Sequence, residues 1–171
     1  MQNLTISQEV AHHLLRIQAI RLRPDNPFTW ASGWKSPIYC DNRISLSDPE
    51  ARTYIKNSLS AAVKGYFKDV DVIAGVATAG IAQGALVADL LDLPFCYVRP
   101  EPKKHGMGNQ IEGSIKPGQK AVLIEDLIST GGSSLKAADA LRTEGVEVLG
   151  MVAIFTYGFG IADDKIGRAH V

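Results

Sequence analysis

The stretch from Val122 to Ser134 reads Val-Leu-Ile-Glu-Asp-Leu-Ile-Ser-Thr-Gly-Gly-Ser-Ser and decides the fold class. It begins as an apolar strand, continues with two adjacent carboxylates and a loop of hydroxyls and glycines, and leads into a helix predicted over Gly132 to Glu144. A strand without polar alternation is typical of a parallel sheet that is buried on both faces. The stretch therefore predicts a strand–loop–helix unit of an α/β protein.

The same alternation of strand and helix continues before and after this stretch. A further helix is predicted from Gly80 to Leu91, so we expect a central parallel sheet flanked by helices. Ligands of such sheets bind outside the carboxyl ends of the strands, which here are residues 75–80, 99–113 and 125–132. The predicted strands are Val70–Gly75, Pro94–Val98, Ala121–Ile124 and Glu147–Phe155.

The first part of the chain has a different pattern. The range Thr5–Ile20 is predicted to be a helix because it starts with a capping-box pattern and continues with apolar residues at helical spacing. The range Arg21–Leu46 is rich in Pro, Gly, Ser and aromatic residues, which predicts short strands and loops. Residues 47–50 then have the pattern of a helix start, and the helix is predicted to end near Phe67.

Composition limits the class of protein. The 171 residues are enough for one domain, and the 46% apolar and 21% charged residues are typical of a globular one. The 18 basic and 18 acidic side chains balance to a net charge of +0, so no global field favours nucleic acid or an anionic membrane. Cys40 and Cys96 cannot form a disulfide framework, and the first residues lack a secretory signal, so we predict a cytoplasmic protein without nucleic-acid or membrane partners.

The loop after the two carboxylates has the composition of a phosphate-binding site. A helix N-terminus offers unpaired N–H groups, glycines let the backbone wrap an anion, and hydroxyls add donors. The loop lacks the Gly-Lys-Ser/Thr ending of a Walker motif and the GxGxxG pattern. Because Glu125 and Asp126 can accept hydrogen bonds from vicinal hydroxyls, a phosphate and a diol side by side indicate a ribose 5-phosphate.

Residues 122–134 resemble the phosphoribosyl-pyrophosphate (PRPP) motif of the type I phosphoribosyltransferases. The resemblance implies that the two acids hold the ribose hydroxyls and that the loop anchors the 5-phosphate, with Ser129 also reaching the base that accepts the ribose. It further implies Mg²⁺ as cofactor, held mainly through PRPP rather than by the chain. The PRPP-binding residues implied in this motif are Glu125, Asp126, Leu127, Ile128, Ser129, Thr130, Gly131, Gly132 and Ser133.

The segment Tyr97–Gly113 indicates which members of this family the chain resembles. Its cations suit a polyanion such as diphosphate, although taken alone the segment could equally be a solvated charged loop. Its Arg-x-x-x-Lys-x-His-Gly pattern resembles the mobile catalytic loop of orotate phosphoribosyltransferases, with Pro100 where many members carry a second base. The resemblance implies that Arg99, Lys103 and His105 bind the diphosphate, partly across a dimer interface, and that Lys103 is the catalytic residue.

Two further segments resemble parts of the same family. Phe28–Tyr39 is similar to the N-terminal hood that covers the flat base, and its aromatic faces suit a planar pyrimidine. Gly75–Ala82 is similar to the loop whose backbone N–H groups hold the leaving diphosphate. We expect a single phosphoribosyltransferase domain with its hood at about 1–46, its core at about 47–157 and an atypical tail at 158–171, which leaves the C-terminal end shortened relative to the family.

The reaction that the resemblance implies is transfer of the 5-phosphoribosyl group from PRPP to orotate, giving orotidine 5′-phosphate and diphosphate, in pyrimidine nucleotide biosynthesis. The resemblance also implies a homodimer with shared active sites. Thr156–Phe159 lacks the arginine that many relatives use for the orotate carboxylate, so a purine phosphoribosyltransferase is an alternative interpretation. A PRPP-sensing, nucleic-acid-binding regulator with the same fold, or an inactive fragment, would also be compatible with these motifs.

Overall fold

The computed structural model describes residues 4–29, 33, 35–102 and 109–162. The chain divides into two compact units, Met1–Ile55 and Lys56–Val171. Among the described residues, no helix combines the length and the apolar character needed to cross a membrane.

The first unit begins with helix α1 (Ile6–Arg16). Its predicted capping box is present, because the Gln8 amide donates to Thr5 Oγ1 at 3.3 Å and the Thr5 amide donates to Gln8 Oε1 at 2.8 Å. The prediction that this helix continues to Ile20 is wrong. Gln18 has a φ of 58°, and this left-handed conformation turns the chain out of the helix and into a strand.

Four short strands follow in this unit, as the sequence predicted, and a 3₁₀ helix over Asn42–Ser47, which was not predicted, comes after them. Strand β1 (Ile20–Leu22) pairs antiparallel with β4 (Ile38–Cys40). Between them, β2 (Phe28–Thr29) pairs antiparallel with β3 (Lys35–Ser36). Two-stranded pairs of this length have little stability of their own, so the fold of this unit depends on side-chain packing as well as on its strands.

Helix α2 (Pro49–Tyr66) begins where the sequence predicted and ends one residue before the predicted Phe67. Asp48 caps it, because its Oδ1 atom accepts a hydrogen bond from the Ala51 amide at 2.8 Å. Pro49 stands in the first helical position, where its missing N–H leaves no intrahelical bond unmade. The cap and the proline together explain why the helix begins at this residue.

The sheet of the second unit has five strands: β5 (Val72–Val76), β6 (Phe95–Val98), β7 (Ile111–Glu112), β8 (Lys120–Ile128) and β9 (Glu147–Thr156). Their order is β7-β6-β5-β8-β9, and all except β7 are parallel, so the predicted central parallel sheet is confirmed. Strand β7 pairs antiparallel with β6 at one edge. It was not predicted, because a two-residue strand shows no periodicity in the sequence.

Helices α3 (Gly80–Leu91) and α4 (Gly132–Thr143) cover opposite faces of the sheet, as predicted. The face of β5 that carries Gly75 lies against α3, since a Cβ atom built on Gly84 would be 3.2 Å from the Gly75 Cα atom. The apolar cluster on the other face joins α4 to the sheet. Its members include Val72, Ala74, Val98, Leu123, Ala137 and Leu141.

Candidate active site

Strand β8 continues past the end of its neighbour β5. The pairing of β5 with β8 ends at Gly75 opposite Ile124, whereas the pairing of β8 with β9 continues to Ile128 opposite Thr156. The prediction that this strand ends at Ile124 is wrong, because the ladder with β9 keeps residues 125–128 extended. The two carboxylates therefore lie within the strand, at the edge of the sheet where parallel sheets bind ligands.

The turn between β5 and α3 lies against the same part of β8. A Cβ atom built on Gly80 would be 2.6 Å from the Ile124 carbonyl oxygen and 3.5 Å from the Glu125 Cα atom. Only glycine permits this approach without a shift of the backbone. The Ala77 amide donates to the carbonyl of Val98 at 2.9 Å, which ties the turn to β6 as well. The turn predicted to bind diphosphate thus lies next to Glu125 and Asp126, which together form the acid pair.

Glu125 is buried although it carries an ionisable group, with only 4% of the residue exposed. Its Oε1 atom accepts a hydrogen bond from the Asp126 amide at 3.0 Å, and its Oε2 atom accepts one from the Ser134 hydroxyl at 3.1 Å. Asp126 is only half-buried. The pair therefore combines one carboxyl group that the protein holds in place with a second one that a ligand can reach more easily.

The pKa of Glu125 is raised to about 9, first by burial and then by its hydrogen bond with the Asp126 side chain and the charge of that group. The Asp126 amide and the Ser134 hydroxyl act in the opposite direction. The raised pKa favours the protonated form of this carboxyl group, which reduces the negative charge of the two carboxyl groups beside a polyanionic ligand. This feature suits a site for phosphates better than two ionised carboxylates would.

We expect Glu125→Gln to remove a pH-dependent part of the free energy of unfolding. A carboxyl group whose pKa rises on folding, here from an ordinary value near 4.5, contributes stability that is complete below that value and is lost as pH rises towards the folded-state pKa. Between about pH 5 and pH 8, the free energy of unfolding of wild type should fall, relative to that of Glu125→Gln, by up to about 1 kcal/mol per pH unit. Thermal melts at several pH values measure this, and parallel curves for the two proteins would contradict it.

The loop Ser129–Ser133 leads into the N-terminus of α4, as the predicted phosphate site requires. Gly131 is the N-cap residue, with a φ of 76°, and in the described part of the chain no side chain caps this helix. The amides of the first turn therefore have no intrahelical acceptor and no side-chain cap. Gly132 is exposed, and a Cβ atom built on it would have nothing within 4 Å. An anion can approach these donors at the positive end of the helix dipole.

The apolar residues of the motif are placed differently from its hydroxyls. Ile128 is 1% exposed and packs in the core, and its carbonyl accepts a hydrogen bond from the Tyr157 amide at 3.1 Å. Because its side chain cannot reach a ligand, only its backbone is available for the predicted contact with PRPP. Leu127 is half-buried. The hydroxyl residues that a ligand can approach are Ser129, Thr130 and Ser133.

Arg99 follows β6 at the same edge of the sheet. Its amide donates to the Gln110 carbonyl at 2.9 Å, and the Gln110 side chain donates back to the Arg99 carbonyl at 3.0 Å. Its guanidinium lies 3.4 Å from the carboxylate of Glu112, and both side chains are partly exposed. The other two residues predicted to bind diphosphate, Lys103 and His105, lie outside the described residues.

The predicted hood is described in part. The rings of Phe28 and Tyr39 lie 5.4 Å apart, and the Arg23 guanidinium lies 4.7 Å from the centre of the Phe28 ring, a cation–π geometry. The role of these rings in covering a base stays a prediction. The hood residues that lie outside the described part of the chain are Trp30, Ala31, Ser32 and Trp34.

Two residues that contact the predicted site were not assigned to it from the sequence. Ser134 donates to Glu125, and a signal for it existed, because a hydroxyl in the first turn after a glycine N-cap can face back towards the preceding strand. Glu112 pairs with Arg99 across β6 and β7. No signal could have found Glu112, since its strand was itself not predictable.

Three comparisons place the chain among known proteins. A profile of the family described as "Phosphoribosyl transferase domain" matches residues 47–167. The chain is 59% identical to an orotate phosphoribosyltransferase of Porphyromonas gingivalis, over 98% of this chain and 80% of that protein. It is 56% identical to an orotate phosphoribosyltransferase of Streptococcus pneumoniae, over the same shares of the two chains. The crystal structure of orotate phosphoribosyltransferase from Aeropyrum pernix is similar with a TM-score of 0.78 at 27% identity, covering 93% of this chain and 87% of that one.

Proposed function

The chain belongs to the phosphoribosyltransferase family, and from its high identity to orotate phosphoribosyltransferases we infer that it transfers the 5-phosphoribosyl group of PRPP to orotate, giving orotidine 5′-phosphate and diphosphate. One observation in the structure supports this function most strongly. The acid pair on β8 and the N-terminus of α4 lie next to each other at the carboxyl edge of the sheet, so neighbouring groups can bind a diol and a phosphate.

We propose that Asp126 makes the main contact with the ribose hydroxyls and that Glu125 supports it from the protein side. The burial of Glu125 and the partial exposure of Asp126 support this division. We propose that Ser129–Ser133 bind the 5-phosphate, with the amides of the first turn of α4 as donors and the hydroxyls as further donors. Ser129, at the start of this loop, would also reach the base.

For the diphosphate, we propose that Arg99, Lys103 and His105 supply positive charge and that Lys103 stabilises the charge that develops as the bond to the anomeric carbon breaks. The position of Arg99 at the carboxyl edge supports its share. Loop closure over the sugar would exclude water and suppress hydrolysis of PRPP.

We propose that Mg²⁺ accompanies PRPP and is held mainly through the oxygen atoms of PRPP. The chemistry of the site fits such an ion, because carboxylate and phosphate oxygens are the hard donors that Mg²⁺ favours. Within the described residues, no group of three or more His, Cys, Asp or Glu side chains could hold a metal ion. When bound, the ion would neutralise part of the diphosphate charge.

A homodimer with shared active sites and a cytoplasmic location are further parts of this proposal. Exposed apolar side chains on the first unit support a contact with a second copy, since large apolar residues at the surface often belong to interfaces. These side chains are Ile6, Leu15 and Leu22.

A panel of bases tests the proposed function against purine phosphoribosyl transfer. With PRPP and Mg²⁺ present, orotate should be consumed with release of one equivalent of diphosphate, while adenine, guanine and hypoxanthine should give no product. Turnover of a purine in place of orotate would reassign the base. Tight binding of RNA or DNA together with no turnover of any base would replace the enzyme by a PRPP-sensing regulator.

A further inference from the structure

Ser134 connects the two elements that border the predicted phosphate loop. It is 1% exposed, lies in the first turn of α4, and donates its hydroxyl hydrogen bond to Glu125 on β8, nine positions earlier in the chain. The bond therefore spans the whole loop between the strand and the helix. We propose that Ser134 is a positioning residue: through Glu125 it holds β8 and the N-terminus of α4 at the separation that the ribose and the 5-phosphate of PRPP require. This inference rests on the proposed function and assigns it one further residue.

The loop needs such a constraint because its own backbone is permissive. Gly131 adopts a left-handed conformation, Gly132 stands in open space, and no side chain in the described part of the chain caps α4. Ordering flexible backbone when a ligand binds lowers affinity, whereas a loop whose two ends are already fixed avoids most of that loss. A buried hydrogen bond between the two bordering elements fixes both ends before PRPP arrives.

Glu125 is the group through which Ser134 acts. Both of its carboxyl oxygens accept hydrogen bonds from the protein, one from the Asp126 amide and one from Ser134. Removal of the hydroxyl leaves a buried oxygen without this donor, and such a group tends to move towards other partners or water. Because the Asp126 amide donates to the same carboxyl group, a shift of Glu125 also displaces Asp126, whose carboxylate is proposed to meet the ribose.

Ser134→Ala tests the proposal, because it removes the hydroxyl and little else. We expect the KM for PRPP, and its dissociation constant measured by calorimetry, to rise about 10-fold. The kcat should fall less than about threefold, because the lost positioning affects bound PRPP equally before and during bond breaking. Ser134→Cys, which keeps the shape of the side chain but replaces the hydroxyl by a slightly larger and weakly donating thiol, should behave in the same way and serves if the alanine variant does not fold. Unchanged affinity for PRPP in the folded variants would overturn the proposal.

Ser60→Ala is the matched control. Ser60 is also a buried serine on a helix, α2, and its hydroxyl has no hydrogen-bond partner among the described residues. Its replacement should leave KM and kcat unchanged, and an equal rise in KM would assign the Ser134 effect to general loosening and overturn the proposal.

A double-mutant cycle then tests the route through Glu125. In a Glu125→Ala background, the further change Ser134→Ala should weaken PRPP binding less than twofold, because the acceptor is already absent. A full 10-fold loss in that background would show that Ser134 acts without Glu125 and would contradict the proposal. If wild type neither binds PRPP nor converts orotate, the proposed function fails and this inference fails with it. If wild type does both and Ser134→Ala matches it, the inference alone fails.

Discussion

Replacement of Lys103 by alanine is expected to lower kcat by about 100- to 1,000-fold, the usual loss when one electrostatic contact to a developing charge is removed. The dissociation constant of PRPP should rise less than about fivefold, because Arg99, His105 and Mg²⁺ are also proposed to bind the diphosphate of the intact substrate. The difference between the two effects is the signature of a group that acts mainly in the transition state. Single-turnover kinetics together with calorimetric PRPP binding measure both quantities.

Lys116→Ala is the matched control for this variant. Lys116 is exposed and precedes the amino end of β8, so it lies towards the edge of the sheet opposite the proposed site. Both constants should stay at wild-type values in this control. Equal losses of kcat and of PRPP affinity in Lys103→Ala would assign that lysine to ground-state binding and contradict a catalytic role.

Gly80→Ala is expected to have the second large effect, a fall of at least about 10-fold in kcat/KM for PRPP with a loss of about 1–3 kcal/mol in stability. The added Cβ atom would stand 2.6 Å from the Ile124 carbonyl oxygen, which is backbone and cannot rotate away. Either the turn or the strand must therefore shift, and both border the proposed site. Steady-state kinetics and thermal melts measure the two losses.

Gly65→Ala controls for the change of glycine to alanine itself. Gly65 lies in the last turn of α2, and a Cβ atom there would have nothing within 4 Å. Activity should be unchanged and stability equal or higher by up to about 1 kcal/mol, since alanine favours helix. Wild-type kinetics in Gly80→Ala would show that the contact between the turn and β8 is unimportant for the site.

Much of the second unit was predictable because buried parallel strands and their helices have distinct patterns. The apolar runs at β5, β6 and β8 and the glycine-rich starts of α3 and α4 indicate both the sheet and the edge at which it binds ligands. The acid pair and the phosphate loop could be identified for the same reason, since they come directly after the apolar run with which β8 begins.

Other features depend on contacts between segments that are distant in sequence. The extension of β8 to Ile128 comes from its ladder with β9, and no local pattern distinguishes that extended stretch from a loop. The left-handed turn at Gln18 ends α1 earlier than its apolar spacing suggests. The burial of Glu125 and the contact of Gly80 with Ile124 are tertiary facts, and so is the pairing of Glu112 with Arg99.

Hydrogen–deuterium exchange with and without PRPP and Mg²⁺ tests most directly whether the carboxyl end of β8 and the start of α4 hold the substrate. Slower exchange is predicted for peptides that cover residues 125–135 and, to a lesser extent, 77–81, because amides that meet the phosphates become hydrogen-bonded. Peptides from the middle of α2 serve as the reference and should not change. Slower exchange elsewhere, with residues 125–135 unaffected at saturating PRPP, would contradict the assignment of this site.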